Sequence, residues 1–143
     1  MKNDFWSGLM LLQKQYGKML EPVCKEWNMT RNEMDVLLFL ANNPEYDRAS
    51  QIVERRGIAK SHVSLAVTEL EKKGFLGKCS DARDHRTTRL YLTGLGTQAA
   101  RAGQKAQQTF FAALRQDVPE TQMETVSSVL RQVLKNVSKM EEK

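Results

Sequence analysis

The sequence predicts a mainly α-helical fold that carries one small β-hairpin. Apolar residues recur at spacings of three and four along most of the chain, as in amphipathic helices. Residues 75–79 and 88–92 are instead short strand-like segments on either side of a charged loop, which predicts a hairpin. No apolar run approaches the roughly 18–20 residues that a membrane span needs, and we expect no signal peptide.

Two helices are predicted before the hairpin region. Apolar residues at helical spacing predict a first helix over residues 3–27, with a disturbance near Pro22. The sequence Thr30-Arg31-Asn32-Glu33 is typical of a capping box and predicts the start of a second helix. Asn42-Asn43-Pro44 predicts its end.

The segment from Arg48 to Leu92 predicts a winged helix-turn-helix core. A short helix over residues 48–56 stops at Gly57, and a second helix follows over residues 60–73. The second helix has one apolar stripe, which consists of Val63, Ala66, Val67 and Leu70. A helix pair followed by a basic β-hairpin is the arrangement with which a winged helix binds DNA.

Two long helices are predicted after the hairpin. Thr93 is the expected N-cap of a helix that reaches about Gln116, and Pro119 begins the last helix. The last helix has an apolar stripe that consists of Met123, Val126, Leu130, Val133, Val137 and Met140. Such a stripe needs a partner surface. We therefore predict a single domain over 1–143, with a DNA-binding lobe at 30–93 and a helical dimerisation region at 1–28 and 94–143.

The basic charge is concentrated in the winged segment. Residues 55–89 contain nine Lys or Arg and four Asp or Glu, a surplus equal to the +5 of the whole chain. A focused positive charge of this kind indicates a surface that binds a polyanion. The two cysteines, Cys24 and Cys79, form no CxxC pair and fit a reduced cytoplasmic compartment.

Candidate DNA-binding side chains lie on the second helix of the pair and at the hairpin tip. Hydroxyl and imidazole groups on the outer helix face could bond bases or phosphates; they belong to Ser61, His62, Ser64 and Thr68. The tip consists of Arg83, Asp84, His85 and Arg86. An arginine there could enter a narrow minor groove, and Asp84 could stiffen the tip by pairing with an arginine. An ordinary solvated helix and turn are the alternatives.

Enzymatic and cofactor chemistry is not predicted. His62 and His85 are the only histidines, and no Ser or Cys nucleophile is placed beside them by spacing. The Gly94-Leu95-Gly96 segment lacks the βαβ unit of a dinucleotide site. We therefore expect no enzyme, no cofactor and no metal site.

Four motifs resemble the MarR family of transcriptional regulators in order and spacing. They lie between about Thr30 and Gly96 and read L-L-F-L-A-N-N-P, I-A-K-S-H-V-S-L-A-V-T-E-L-E-K-K-G-F-L, D-A-R-D-H-R and L-T-G-L-G. The resemblance implies a homodimer whose first and last two helices interleave and whose two winged helices face double-stranded DNA. It also implies that Asp84 stiffens the wing and that Arg86 enters the minor groove.

The resemblance further implies which side chains of the recognition helix contact DNA. They are Lys60, Ser61, His62, Ser64, Leu65 and Thr68. Two positions depart from the family pattern, because Ala59 replaces the usual polar helix cap and Leu65 replaces a polar or basic residue. Leu65 could instead contact a thymine methyl group.

The function implied by the resemblance is that of a repressor on a pseudo-palindromic operator, released by a small, often anionic aromatic effector. An effector pocket would be lined by Tyr16, Met19, Trp27 and Met34, although core packing explains the same residues. One alternative is a regulator that ignores ligands or responds through Cys24 or Cys79. Another is a winged-helix module that binds protein rather than DNA, whose nucleic-acid affinity would barely depend on salt.

Overall fold

The fold is mainly α-helical with one antiparallel hairpin, as predicted. The computed structural model describes residues 4–142, and within them no helix is long and apolar enough to cross a bilayer. The elements are α1 (Asp4–Glu26), α2 (Arg31–Asn42), α3 (Ala49–Arg56), α4 (Lys60–Lys72), β1 (Leu76–Ser80), β2 (Thr88–Leu92), α5 (Gly94–Arg115) and α6 (Glu120–Glu141). The strands β1 and β2 pair with Leu76 opposite Leu92 and Ser80 opposite Thr88.

One local expectation for the first two helices is corrected, namely the reciprocal capping box at the start of α2. The helix α1 continues through Pro22, which is exposed. Thr30 Oγ1 accepts a hydrogen bond from the Glu33 N–H over 3.1 Å, as a capping residue should. The Glu33 side chain, however, is buried and pairs with Lys73, so the reciprocal half of the capping box is replaced by a tertiary ion pair.

The core lies between α2, α3, α4 and the hairpin. The α2 helix is buried along eight consecutive residues, from Glu33 to Leu40, because other elements cover it on every side. The predicted inner stripe of α4 is confirmed, since its buried residues are Val63, Ala66, Val67 and Leu70. These contacts hold one side of α4 in the core and leave the opposite side in solvent.

The end of the hairpin is tied tightly to the end of α4. Thr93 donates its hydroxyl to the Gly74 carbonyl over 2.6 Å and accepts the Gly96 N–H over 3.0 Å, so it caps α5 as predicted. Gly96 passes so close to the Phe75 carbonyl oxygen that a Cβ atom at this position would overlap it. A glycine is required here because the two backbones touch.

The chain forms two compact units that divide within α5, after Gln108. The second unit, from Thr109 onward, contains the end of α5 and the whole of α6. No residue of α6 from Glu120 to Glu141 is buried. Its predicted apolar stripe is therefore in solvent, with Val133 at 45% and Met140 at 70% exposure.

Candidate nucleic-acid interface

The outer face of α4 carries the predicted recognition residues in solvent. Gly57 ends α3 in the left-handed conformation, with φ of 65°, and this turn sets the start of α4. Ala59 at the N-cap of α4 makes no side-chain hydrogen bond, as its sequence predicts. The exposed residues are Lys60, Ser61, His62, Ser64, Leu65 and Thr68.

Shallow grooves run along both flanks of α4, and Lys60 and Ser64 also line a depression between α3 and α4. Ser64 and Thr68 line the groove on the hairpin side, together with Lys78 and Thr88. His62 and Leu65 line a second groove on the side of the α2 N-terminus. Leu65 is 62% exposed, although an apolar side chain gains nothing from contact with water. The two flanks therefore present different chemistry, hydroxyl groups on one and an imidazole with an aliphatic side chain on the other.

One recognition side chain is already engaged within the helix. Thr68 donates its hydroxyl to the Ser64 carbonyl over 2.9 Å. Its oxygen can still accept a hydrogen bond, whereas donation to DNA requires the O–H to turn about the Cβ–Oγ1 bond and to give up the Ser64 carbonyl. Thr68 thus offers an acceptor in the structure as it stands.

The loop between β1 and β2, here called the wing, contains two successive carboxylate turns. Asp81 Oδ1 accepts the Arg83 N–H over 2.9 Å, and Asp84 Oδ1 accepts the Arg86 N–H over 3.0 Å. Each aspartate therefore fixes the backbone of the arginine two residues later. Asp84 also accepts the Thr87 hydroxyl over 3.2 Å.

The arginines of the wing extend into solvent. The side chain of Arg86 is 97% exposed, and its Nε lies 3.8 Å from Asp84 Oδ1. His85 and Arg83 are exposed as well. The N–H of Arg83, with the nearby Arg89 and Arg48, holds the pKa of Asp81 below its ordinary value of 3.8, so this carboxylate is ionised at neutral pH.

Contacts at the base of the wing were not anticipated from the sequence. The Leu90 N–H donates to the Asp47 carbonyl over 2.7 Å, which attaches β2 to the segment before α3. The Asp47 carboxylate lies 3.0 Å from Arg89 Nε, and Arg48 Nη2 lies 3.4 Å from Asp81 Oδ2. No local pattern marks these residues, because each pair is distant in sequence.

Much of the concentrated positive charge is paired in the folded lobe. Six of its nine basic residues lie within 4.0 Å of a carboxylate: Arg56, Lys72, Lys73, Lys78, Arg86 and Arg89. Arg55 instead stacks on the Tyr46 ring, with its guanidinium carbon 3.7 Å from the ring centroid. Lys60 and Arg83 form no ion pair with any described residue. Lys60 is the first residue of the recognition helix, and Arg83 lies in the wing. A DNA phosphate could pair with either side chain.

The four predicted effector-pocket residues have separate roles in packing. Met34 is fully buried, and Trp27 packs edge-on against Phe75 with ring centroids 6.1 Å apart. Tyr16 accepts a hydrogen bond from Gln107 over 2.7 Å and stacks under Arg31. Met19 is half-buried. Among the described residues, Trp27 Nε1 is a buried side-chain polar atom without a hydrogen-bond partner, and the pocket stays a prediction.

The two cysteines differ in environment. Cys24 is buried in α1, and this burial raises the pKa of its thiol above the ordinary value of 9.0. Cys79 is exposed in β1, directly opposite Arg89. A raised pKa makes Cys24 a poor nucleophile at neutral pH.

Comparison with known proteins identifies the winged segment. The sequence model of the MarR family matches residues 27–87. This segment is therefore similar to the MarR family over residues 27–87. The matched residues include the recognition helix and the wing, which are the parts that carried the sequence resemblance. A comparison with curated proteins gives no match.

Solved MarR-family structures share the fold over nearly the whole chain. The transcriptional regulator SlyA is 21% identical with a TM-score of 0.81, covering 95% of both chains. A MarR-family regulator from Listeria monocytogenes, in complex with a 26mer DNA, is 18% identical with a TM-score of 0.84, covering 95% of this chain and 90% of that one. S. aureus MepR in complex with DNA is 18% identical with a TM-score of 0.78, covering 96% and 99%. At these identities the likeness establishes the winged-helix fold.

Proposed function

We propose that this protein is a regulator of the MarR family, which binds double-stranded DNA as a homodimer and represses transcription from a pseudo-palindromic operator. The observation that carries the proposal is the joint exposure of the α4 outer face and the wing tip. Both are polar or basic, both project from one lobe, and α4 is anchored by a buried apolar stripe. Two structural relatives were solved with DNA, which supports this assignment of the exposed surface.

The α4 helix supplies direct readout in this proposal. Lys60 and Ser61 lie at its N-terminus, where the partial positive charge of the helix favours a phosphate. His62, Ser64 and Thr68 can reach base edges, and Leu65 can contact a thymine methyl group. The recognition helices of a dimer then enter successive major grooves about 10 bp apart.

The wing supplies minor-groove contacts. Its two carboxylate turns fix the backbone at Arg83 and Arg86, so less conformational entropy is lost when the arginines bind. A negative potential in a narrow minor groove attracts arginine irrespective of exact sequence. Arg86 is therefore assigned to the groove and Asp84 to the support of its backbone.

Homodimerisation is proposed from the unburied apolar stripe of α6. Val126, Leu130, Val133 and Val137 are between 45% and 52% exposed at spacings of three and four. Burial of such a stripe against a second copy is the usual way that a long helix of this kind is stabilised. A twofold dimer also explains why a pseudo-palindromic site would be read.

Release by an effector is part of the same proposal. A small aromatic anion that binds better to a dimer with unsuitable lobe spacing would lower operator affinity by differential binding. Its site would include Tyr16, Met19, Trp27 and Met34. The unpartnered indole N–H of Trp27 supports a polar ligand atom at this place.

Selection of binding sequences from random duplex DNA tests the proposed function. We expect the full-length protein to enrich one sequence with twofold symmetry and half-sites about 10 bp apart. Enrichment of no common sequence would contradict a sequence-specific regulator. Addition of small aromatic carboxylates to the selected complex then tests release, which should appear as a lower operator affinity.

The wing assignment has its own test. Arg86→Ala should weaken binding to all DNA sequences to the same extent, by about 1–3 kcal/mol. The reason is that it removes the attraction between an arginine and the negative potential of the minor groove, which depends little on the exact sequence. Arg101→Ala, which removes the same charge from an exposed position of α5, is the matched control and should have little effect. A loss confined to one base pair would instead assign Arg86 to direct readout.

A further inference from the structure

Two ion pairs join the base of the wing to the start of α3. Arg48 Nη2 lies 3.4 Å from Asp81 Oδ2, and Arg89 Nε lies 3.0 Å from Asp47 Oδ2. We call them the wing-base ion pairs. The two pairs have opposite polarity: the acid Asp47 binds a base of the hairpin, whereas the adjacent base Arg48 binds an acid of the hairpin. If the two hairpin residues exchanged places, Asp47 would face Asp81 and Arg48 would face Arg89, and like charges would repel.

The two pairs hold different arms of the hairpin. Asp81 directly follows β1, whereas Arg89 lies within β2 opposite Cys79. The buried Leu76 and Leu90 already hold the base of the hairpin in the core, so the ion pairs act on the part of each arm that lies nearer the wing. The two ion pairs attach both arms to the start of α3, and the hydrogen bond from the Leu90 N–H to the Asp47 carbonyl adds a third attachment.

Asp81 connects this base to the wing itself. One carboxylate oxygen accepts the Arg83 N–H over 2.9 Å, while the other lies next to Arg48. The side chain is only 12% exposed. A single carboxylate thus links the N-terminus of α3 to the backbone that presents the first arginine of the wing.

We propose that Asp47 and Asp81 are positioning residues that fix the direction of the wing relative to α4. The proposal rests on the proposed function, because DNA affinity is what the direction of the wing would change. The α3 helix packs against α4, so a hairpin fixed to the start of α3 is also fixed relative to the recognition helix. If the wing arginines are already held at a fixed distance from α4, less conformational entropy is lost when they enter the minor groove.

The proposal predicts the opposite sign from simple electrostatics. Replacement of an acid by its amide removes one negative charge from a DNA-binding lobe and releases an arginine for phosphate, so simple electrostatics predicts tighter binding. If Asp47 and Asp81 position the wing, Asp47→Asn and Asp81→Asn should each weaken binding to the selected operator roughly three- to tenfold. The amides keep the size of the side chains, so the loss of charge is the main change.

Glu54→Gln is the matched control. Glu54 is an exposed acid on α3, and it forms no ion pair with any described residue. Its replacement removes the same negative charge from the same lobe without touching the wing. We expect operator binding by this variant to be unchanged or tighter.

Amide hydrogen exchange in the absence of DNA provides a second readout. Exchange of the Leu90 and Arg83 N–H groups should accelerate in Asp47→Asn and Asp81→Asn, whereas the buried Leu37 N–H in α2 should exchange as in the wild type. Faster exchange at Leu90 and Arg83 would show that the wing has lost its attachment, and unchanged exchange at Leu37 would show that the core remains folded. Equal acceleration at Leu37 would show general destabilisation and overturn the positioning role.

The binding and exchange measurements together distinguish a failure of the positioning role from a failure of the proposed DNA-binding function. Weaker operator binding with faster exchange at the wing alone supports positioning by the wing-base ion pairs. Unchanged or tighter binding, or weaker binding with wild-type exchange at Leu90 and Arg83, overturns it. If the wild type binds no DNA, the proposed function fails, and unchanged exchange at the wing in the two variants would overturn the positioning role independently.

Discussion

Lys73 Nζ lies 2.8 Å from Glu33 Oε1, and the same ammonium group donates to the Asn28 carbonyl over 2.8 Å. The Glu33 side chain is 3% exposed and that of Lys73 is 31% exposed. One ammonium group therefore joins the end of α4 to the start of α2 and to the turn before it. A buried carboxylate without this partner would lose its compensating charge.

Removal of the Lys73 ammonium group should destabilise the protein. Lys73→Met should lower the free energy of unfolding by about 2–3 kcal/mol, at the lower end for buried pairs because the lysine is partly solvated. Lys72→Met is the control, since Lys72 is 69% exposed and pairs with a solvated Glu69. Urea denaturation should show a change within about 0.5 kcal/mol for that variant. Similar losses for both lysines would contradict a special role of the Glu33 pair.

The close approach at Gly96 predicts a strong effect of a single methyl group. Gly96→Ala should lower the free energy of unfolding by at least about 2 kcal/mol, because the new Cβ overlaps the Phe75 carbonyl oxygen. Gly94→Ala places the same group two residues earlier, where no atom lies within 4 Å. Thermal unfolding should detect a large decrease in Tm for the first variant and almost none for the second. A neutral Gly96→Ala would show that the hairpin and α5 are not in contact there.

The two thiols should react at different rates. Maleimide at neutral pH should modify the exposed Cys79 quickly and the buried Cys24 slowly, because burial raises the pKa of the Cys24 thiol and blocks access. In denaturant, both should react at similar rates, which serves as the control. Mass spectrometry of the time course measures this directly.

The same labelling tests the thiol-responsive alternative. Operator affinity that is unchanged after complete modification of Cys79 would remove that residue as a redox switch. A large loss would favour thiol regulation over release by an effector. Cys79→Ser separates the loss of the thiol from the bulk of the label.

A charge in the α6 stripe should prevent dimerisation. Val133→Glu places a carboxylate among apolar side chains that we expect to be buried between two copies, where an unpaired charge is costly. We expect a monomer in sedimentation velocity and loss of operator binding. Ser128→Glu adds the same charge outside the stripe, where it should leave the dimer intact. A dimeric Val133→Glu variant would show that another surface carries the association.

Elements that depend on local pattern were predictable from the sequence. The apolar stripe of α4 and the Thr93 cap follow from residues within one or two turns of each other, so periodicity and capping chemistry are sufficient. The Glu33 side chain was predicted wrongly because its partner is distant in sequence. A capping-box sequence predicted a local hydrogen bond, but a lysine 40 positions away takes the carboxylate instead.

The base of the wing was not predictable for the same reason. Arg48 and Asp81 are 33 positions apart, and neither belongs to a motif that marks an ion pair. The concentration of basic residues was visible in the sequence, but the pairing of most of them depends on tertiary contacts. The exposed recognition residues were predicted because they are the complement of the buried stripe on the same helix.

Salt dependence of operator binding tests the central account most directly. The affinity of the full-length protein should be measured for the selected operator and for a scrambled duplex at several salt concentrations. We expect log K to fall with log salt for both, with a slope near −0.9 per phosphate contacted, and a preference for the operator that persists at high salt. Equal affinities that vanish together at high salt, or an affinity that salt does not change, would contradict a sequence-specific regulator.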